Sequence, residues 1–142
     1  MPRTPSEEER RVRIHRALQE GAELYNAGHF FETHEVLEDV WLLEEGEDKP
    51  FLQGLIKIAA AFVHFKKGTY QGMWDLLQAG RQMLEPYQPE HRGVELTDFL
   101  LEIAKWIPWA DRLLAGEEVE IDDPIPRLVH RLPADVQLGP ER

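Results

Sequence analysis

Residues 50–68, PFLQGLIKIAAAFVHFKKG, decide the fold. Phe51, Leu52, Leu55, Ile56, Ile58, Ala59, Phe62, Val63 and Phe65 cover most of the circumference of a helix that turns about 100° per residue. An apolar surface this wide marks a central helix that neighbours must enclose. Pro50 suits its first turn, where no N–H is needed, and Gly68 ends it.

The neighbours read as helices too. Ser6 followed by Glu9 has capping-box spacing, which predicts a first helix from there to Ala27, stopped by Gly28. A second is predicted from Phe30 to Glu45, with a loop over Gly46–Lys49, and a fourth from Tyr70 until Pro86. Tyr87–Gly93, rich in proline and charge, reads as a turn. A fifth helix covers Leu96 to Ile107, and Pro108 is expected to kink or break it before Trp109–Ala115. A faint repeat runs through the chain: Tyr25-x-x-Gly28-x-Phe30 with Leu37, then Phe65-x-x-Gly68-x-Tyr70 with Leu77. Each copy is a helix, a glycine stop, an aromatic re-entry and a second helix. Gly21, Gly54, Gly72 and Gly80 fall inside helices, where each costs about 1 kcal/mol against alanine, so close helix–helix approach is expected. The fold class is therefore all-α, a compact array of about five helices built from helical hairpins. Residues 6–116 form its single domain, after a flexible stretch 1–5. Residues 117–142, acidic and proline-rich, form an irregular arm that lays Ile121, Ile125, Leu128 and Leu132 over the body.

Composition narrows the function. The chain of 142 residues carries 16 basic and 27 acidic side chains, a net charge of −11, and no cysteine. Disulfides, thiolate metal sites and cysteine nucleophiles are excluded. The acidic balance opposes sequence-independent binding to nucleic acid, so no nucleic-acid partner is expected. The start, MPRTPSEEERR, lacks the apolar core of a secretory signal. The longest strongly apolar run, Ile58–Val63, is far below the roughly 20 residues of a membrane span. A soluble, cytoplasmic protein without a membrane partner is expected. The only serine, Ser6, sits at a helix cap, and no glycine-rich phosphate loop occurs.

The candidate chemistry lies in FFETHEVLEDVW, Phe30–Trp41. On a helical wheel, Leu43, Val36, Val40, Leu37, Phe30 and Trp41 form the core arc. His34 sits at its edge beside Trp41 with Glu38 one turn on, while Glu32, Glu35 and Asp39 fan toward solvent. On the central helix, Gln53, Lys57 and His64 fall within about 40° of each other. One polar stripe on a buried helix must face water, a pocket or a polar partner. Arg81 shares a row with Trp74, Leu77 and Leu84, which points it inward toward a carboxylate. Two readings stay open. One is a structural network, with His34 bonded to Gln53 and Glu35 or Glu38 paired with Lys57 or Arg81. The other is a small pocket in which His34, Glu38 and His64 converge on a metal ion or anionic ligand. The run is His-Glu-x-x-Glu rather than His-Glu-x-x-His, and Glu-x-x-His occurs nowhere, so metalloprotease and di-iron signatures are absent.

These residues resemble the domain of unknown function 309 family. Tyr25-Asn26-Ala27-Gly28, Phe31-Glu32-Thr33-His34-Glu35-Val36-Leu37-Glu38 and Trp41 carry the resemblance. Gln53-Gly54-Leu55-Ile56, Ala59-Ala60-Ala61-Phe62, His64, Lys67-Gly68, Leu76-Leu77-Gln78-Ala79-Gly80 and Gly93-Val94 continue it in order, so that it spans about Arg13 to Trp106. It implies a small all-helical domain of prokaryotic type and no particular activity. Lys57 stands where the family often has a second glutamine and Thr69 where it often has asparagine. Lys57 favours internal neutralisation of Glu35 or Glu38 over a bound cation. The leading expectation is a non-enzymatic module without a cofactor. Its groove of His34, Glu35, Glu38, Gln53 and His64 would take a small ligand or a protein segment. The alternatives are a metal-assisted hydrolase using the same residues and a structural subunit that self-associates as a homo-oligomer.

Overall fold

A computed structural model describes residues 4–140. Residues 1–3 of the stretch expected to be flexible, and the last two of the arm, lie outside the described residues. The fold is all-α. Helices α1 (Glu7–Asn26), α2 (Phe30–Trp41), α3 (Asp48–Lys67), α4 (Tyr70–Leu84) and α5 (Thr97–Leu114) follow one another in the chain. A short antiparallel hairpin, β1 (Glu90–His91) and β2 (Val94–Glu95), separates the last two.

Helix α3 is the central element. It packs against α2 on one side and α4 on the other, with α1 against α2 and α5 against α4. Phe62, fully buried, gathers Tyr25, Phe30 and Trp106 at centroid distances of 6.2, 5.5 and 5.3 Å. Burying one such aromatic contributes about 2–3 kcal/mol, and this cluster ties α1, α2, α3 and α5 together. Contact between α3 and α4 needs bare backbone. A Cβ on Gly54 would lie 2.7 Å from Leu84 Cγ, and one on Gly80 2.7 Å from Ile58 Cδ1 and 3.1 Å from the Gly54 carbonyl oxygen.

The helix ends follow local chemistry. Ser6 caps α1 reciprocally, its hydroxyl accepting from the Glu9 N–H at 3.1 Å and its N–H donating to the Glu9 carboxylate at 3.3 Å. Gly68 closes α3 in the left-handed conformation at φ 76°.

Three boundaries differ from expectation. Helix α3 starts at Asp48, inside the stretch Gly46–Lys49 expected to be a loop. Helix α2 stops at Trp41 rather than Glu45, because the next residues serve other contacts. Leu42 and Leu43 turn outward while Glu44 turns in, its side chain only 2% exposed, to bridge Arg10 and Arg13. Helix α5 runs through Pro108 unbroken. The proline lies on the exposed face, and the helix is held from its other side by buried Ile103, Trp106 and Ala110. The arm adds anchors there, with Trp106 Nε1 donating to the Pro124 carbonyl at 3.3 Å and Trp109 Nε1 to Asp123 at 2.9 Å. Tertiary packing offsets the one helical hydrogen bond that proline removes.

The arm is irregular but docked. Asn26 forms a two-way clamp on the Leu128 backbone at 2.8 and 2.9 Å. Val129 and Arg131 bond to Glu95 and Gly93 beside the hairpin. Pro126, Leu128 and Val136 are buried, whereas Leu132 is exposed.

Candidate functional site

The two edges of α2 face different elements. Leu37 points at Gly21 of α1, where a Cβ would come within 3.1 Å of its side chain. On the other edge Trp41 lies under the Lys49 ammonium, 4.4 Å from the ring centroid, at the start of α3. His34 and Glu38 share that edge of α2, and Trp41 carries it onto α3. There Gln53, Lys57, Ala60 and His64 form the half-buried stripe of an otherwise buried helix. The stripe lies between the face of α3 that meets α4 and the face that meets α2.

The polar groups on this seam are only partly engaged. His34 Nε2 approaches Glu38 Oε2 at 3.4 Å within α2, and the His34 ring stacks on Phe31 at 6.2 Å. His34 Nδ1 and Trp41 Nε1 are buried without a hydrogen-bond partner. His64 is taken by Thr69, Nδ1 to Oγ1 at 2.7 Å, and fills the space left by Gly72. Among the described residues the side chains of Glu35, Gln53 and Lys57 make no hydrogen bond or ion pair, and Glu35 is exposed. The expected bonds from His34 to Gln53 and from Lys57 to a carboxylate are not formed. Arg81 does not join the seam. On α4, Gly72 and Met83 face the α3 residues His64 and Gly54. Arg81 pairs instead with Glu85 of its own helix at 3.4 Å, while its Nε is buried without a hydrogen-bond partner. Nor are His34, Glu38 and His64 assembled as a metal set: among the described residues no cluster of three or more His, Asp or Glu could hold a metal ion.

A cleft with a volume of about 840 Å³ lies along the opposite edge of α2, between it and α1. Val12, Ala17, Val36, Val40 and Leu43 give it an apolar floor, and Glu8, Glu9, Glu20, Asp39, Arg13 and Arg16 form the rim. Part of the signal was present in sequence, since Val36, Val40 and Leu43 share one arc of the helix expected from Phe30 to Glu45. That arc reads as core because periodicity alone does not show whether a third helix covers it. Among the described residues none does, and Leu43 is 62% exposed.

Two titratable groups with strongly altered environments, Asp48 and His15, lie elsewhere again. Asp48, at the start of α3, accepts from His91 Nε2 at 2.8 Å and from Arg92 at 2.8 and 3.1 Å. Burial works to raise its pKa, but the bonds and charges of His91 and Arg92 outweigh it and hold the carboxyl well below the usual range. His91 is fixed edge-on against Phe51 and Tyr87, at 4.6 and 4.9 Å. His15 of α1, 1% exposed, meets His130 of the arm, Nδ1 to Nε2 at 3.1 Å. Burial, then the charges of His130, Arg92 and Arg11, lower the His15 pKa to about 4. These pairs span separations of 43 to 115 residues, which no local pattern reveals. They brace the helix ends against the hairpin and arm without opening onto the cleft.

Residues 18–76 match the model of the family described as Domain of unknown function (DUF309). The matched segment takes in the C-terminal part of α1 from Leu18, all of α2 and α3 and the first half of α4. It is shorter than the span suggested by the motifs, and Gln78–Gly80 and the hairpin lie beyond it. An uncharacterized protein of Aquifex aeolicus (strain VF5) is 32% identical over 80 residues, 56% of this chain. This chain spans 24% of that relative's length. No helix among the described residues is long and apolar enough to cross a membrane.

Proposed function

We propose that this protein is a non-enzymatic interaction module whose α1–α2 cleft receives an amphipathic helix with basic flanks. The cleft carries the reading: two helices of a hairpin present an apolar floor that no third helix among the described residues covers. Its lining on α1 runs from Glu8 to Glu20, about 18 Å of helix at 1.5 Å per residue, enough for three turns of a partner. Glu8, Glu20 and Asp39 on the rim make no ion pair among the described residues, and the chain carries a net charge of −11. Arg13 is already neutralised by Glu44 at 2.7 Å. Lysine or arginine beside the partner's apolar stripe complements this rim, while acidic flanks meet repulsion. A segment related to this chain within a much longer relative fits a module that serves other parts of a protein.

Fluorescence anisotropy with two labelled 16-residue peptides tests the reading, both carrying leucine at i, i+3, i+4 and i+7. One has lysine flanks and the other glutamate flanks. The lysine peptide is expected to bind saturably, more weakly as salt rises, and at least about tenfold more tightly than the glutamate peptide. Leu43→Asp, at an exposed position where folding is not at stake, should abolish binding. Absence of saturable binding, equal affinity for both peptides, or full binding by L43D would overturn the proposal.

A further inference from the structure

We infer that the hollow enclosed by the start of α2, the end of α3 and the arm is a binding site for a small oxyanion, a phosphate or carboxylate group. It has a volume of about 310 Å³ and lies away from the helix-binding cleft, sharing no residue with it. Two cations line it, Lys66 from the last turn of α3 and Arg127 from the arm. Neither makes an ion pair or hydrogen bond among the described residues. In a chain with 27 acidic residues, two unneutralised cations from distant segments at one hollow are an electrostatic focus. Glu23 lines the adjoining hollow with Arg127 but lies beyond ion-pair distance of it.

The interior of the site points the same way. Tyr25 lines the hollow, is 3% exposed, and its hydroxyl is buried with no hydrogen-bond partner. An unmade bond at such a group costs about 1–3 kcal/mol, a cost that an acceptor oxygen would remove. Burial pushes the phenol far above its ordinary range, so it stays protonated and can only gain by donating to an acceptor. Gly28 and Phe30 bring the start of α2 to the hollow, and its N-cap residue, His29, supplies no side-chain cap. Amides at a helix start carry partial positive charge that suits an oxyanion. Glu32 in the first turn is half exposed and pairs with His29 at 3.4 Å. The arm completes the enclosure. Ile125, buried Pro126 and Arg127 form one wall, held by the Asn26 clamp on Leu128. Asn26 is thus a positioning residue for the wall, with both ends of its amide already used.

Amide NMR titrations with inorganic phosphate and with succinate, each at constant ionic strength against chloride, test the site in the full chain. Saturable shifts at Gly28, Phe30 and Arg127 are expected with at least one anion, and the preferred anion tells phosphate from carboxylate chemistry. The double variant K66Q/R127Q changes two surface side chains and should weaken binding at least about tenfold. Tyr25→Phe keeps the ring packing and should weaken it several-fold. If neither anion shifts these amides, or if the shifts persist undiminished in K66Q/R127Q, the inference is wrong. Because L43D lies in the other cleft, its anion response should match that of the parent chain. Failure of peptide binding and failure of anion binding are therefore separate results.

Discussion

Acidification from about pH 7.5 to about pH 5 should destabilise this protein through one buried pair of rings. His15 Nδ1 and His130 Nε2 are 3.1 Å apart, so one ring donates to the other and both remain neutral. Burial and the neighbouring charges bring the His15 pKa to about 4, while a histidine in an unfolded chain titrates near 6.5. Between those values the unfolded chain binds more protons than the folded one, so stability rises with pH across that window. The contribution is complete above about pH 6.5 and is lost as the pH falls through it toward 4. At pH 5 the loss from His15 alone is about 2 kcal/mol, and burial lowers the His130 pKa too, acting in the same direction. For a domain of this size that is a fall of about 6 °C in Tm. His15→Gln keeps hydrogen-bonding capacity but cannot titrate. It should cost about 1 kcal/mol at pH 7.5 and remove more than half of the decline. Circular-dichroism melts of both proteins at four or five pH values between these limits measure it. A parent Tm that does not move between pH 7.5 and 5, or an H15Q variant that declines as steeply, would refute the reasoning.

Two further outcomes follow from packing. Glu44→Gln removes the carboxylate that bridges Arg10 and Arg13 at 3.0 and 2.7 Å. Because both guanidinium groups reach solvent, the cost should be about 2 kcal/mol rather than the full penalty of a buried orphan charge, seen as a Tm lower by about 6 °C. Gly80→Ala should lower the urea midpoint even though alanine favours helix by about 1 kcal/mol, since its methyl would crowd Ile58 and the Gly54 carbonyl. An unchanged or higher midpoint would mean that α3 and α4 are not in such close contact.

Much of this architecture could be read from local chemistry. The Ser6–Glu9 box, Gly28, Gly68 and Pro86 each act on a backbone within a few residues, and the helices start and stop where those residues dictate. The wide apolar surface of residues 50–68 located the central helix, because burial on nearly all sides leaves a pattern along the chain itself. Pro108 misled because its missing hydrogen bond is a local cost, while Trp106 and Ala110 answer it through tertiary contacts. The site was less legible. His34 and Glu38 approach each other within α2, as their wheel positions require, but His64 is taken by Thr69. Arg81 shared a row with buried residues, yet a row does not say which neighbour it meets, and its own helix supplied the partner. The α1–α2 cleft looked like core for a related reason: an apolar arc is the same in sequence whether a helix covers it or leaves it open. Asp48 with Arg92, and His15 with His130, join segments that only the finished fold brings together.

The arm's anchors carry one more consequence. Asn26–Leu128, His15–His130 and Arg11–Asp135 bridge 102, 115 and 124 residues of chain. The helical hairpins close over short loops, whereas each of these contacts must wait for a long loop to be drawn in. Docking of the arm is thus expected to come last in folding, with the hollow beneath it forming after the α1–α2 cleft, which needs only the first hairpin; pulsed hydrogen exchange protecting the arm's Leu128 amide before those of α1 and α2 would contradict this order.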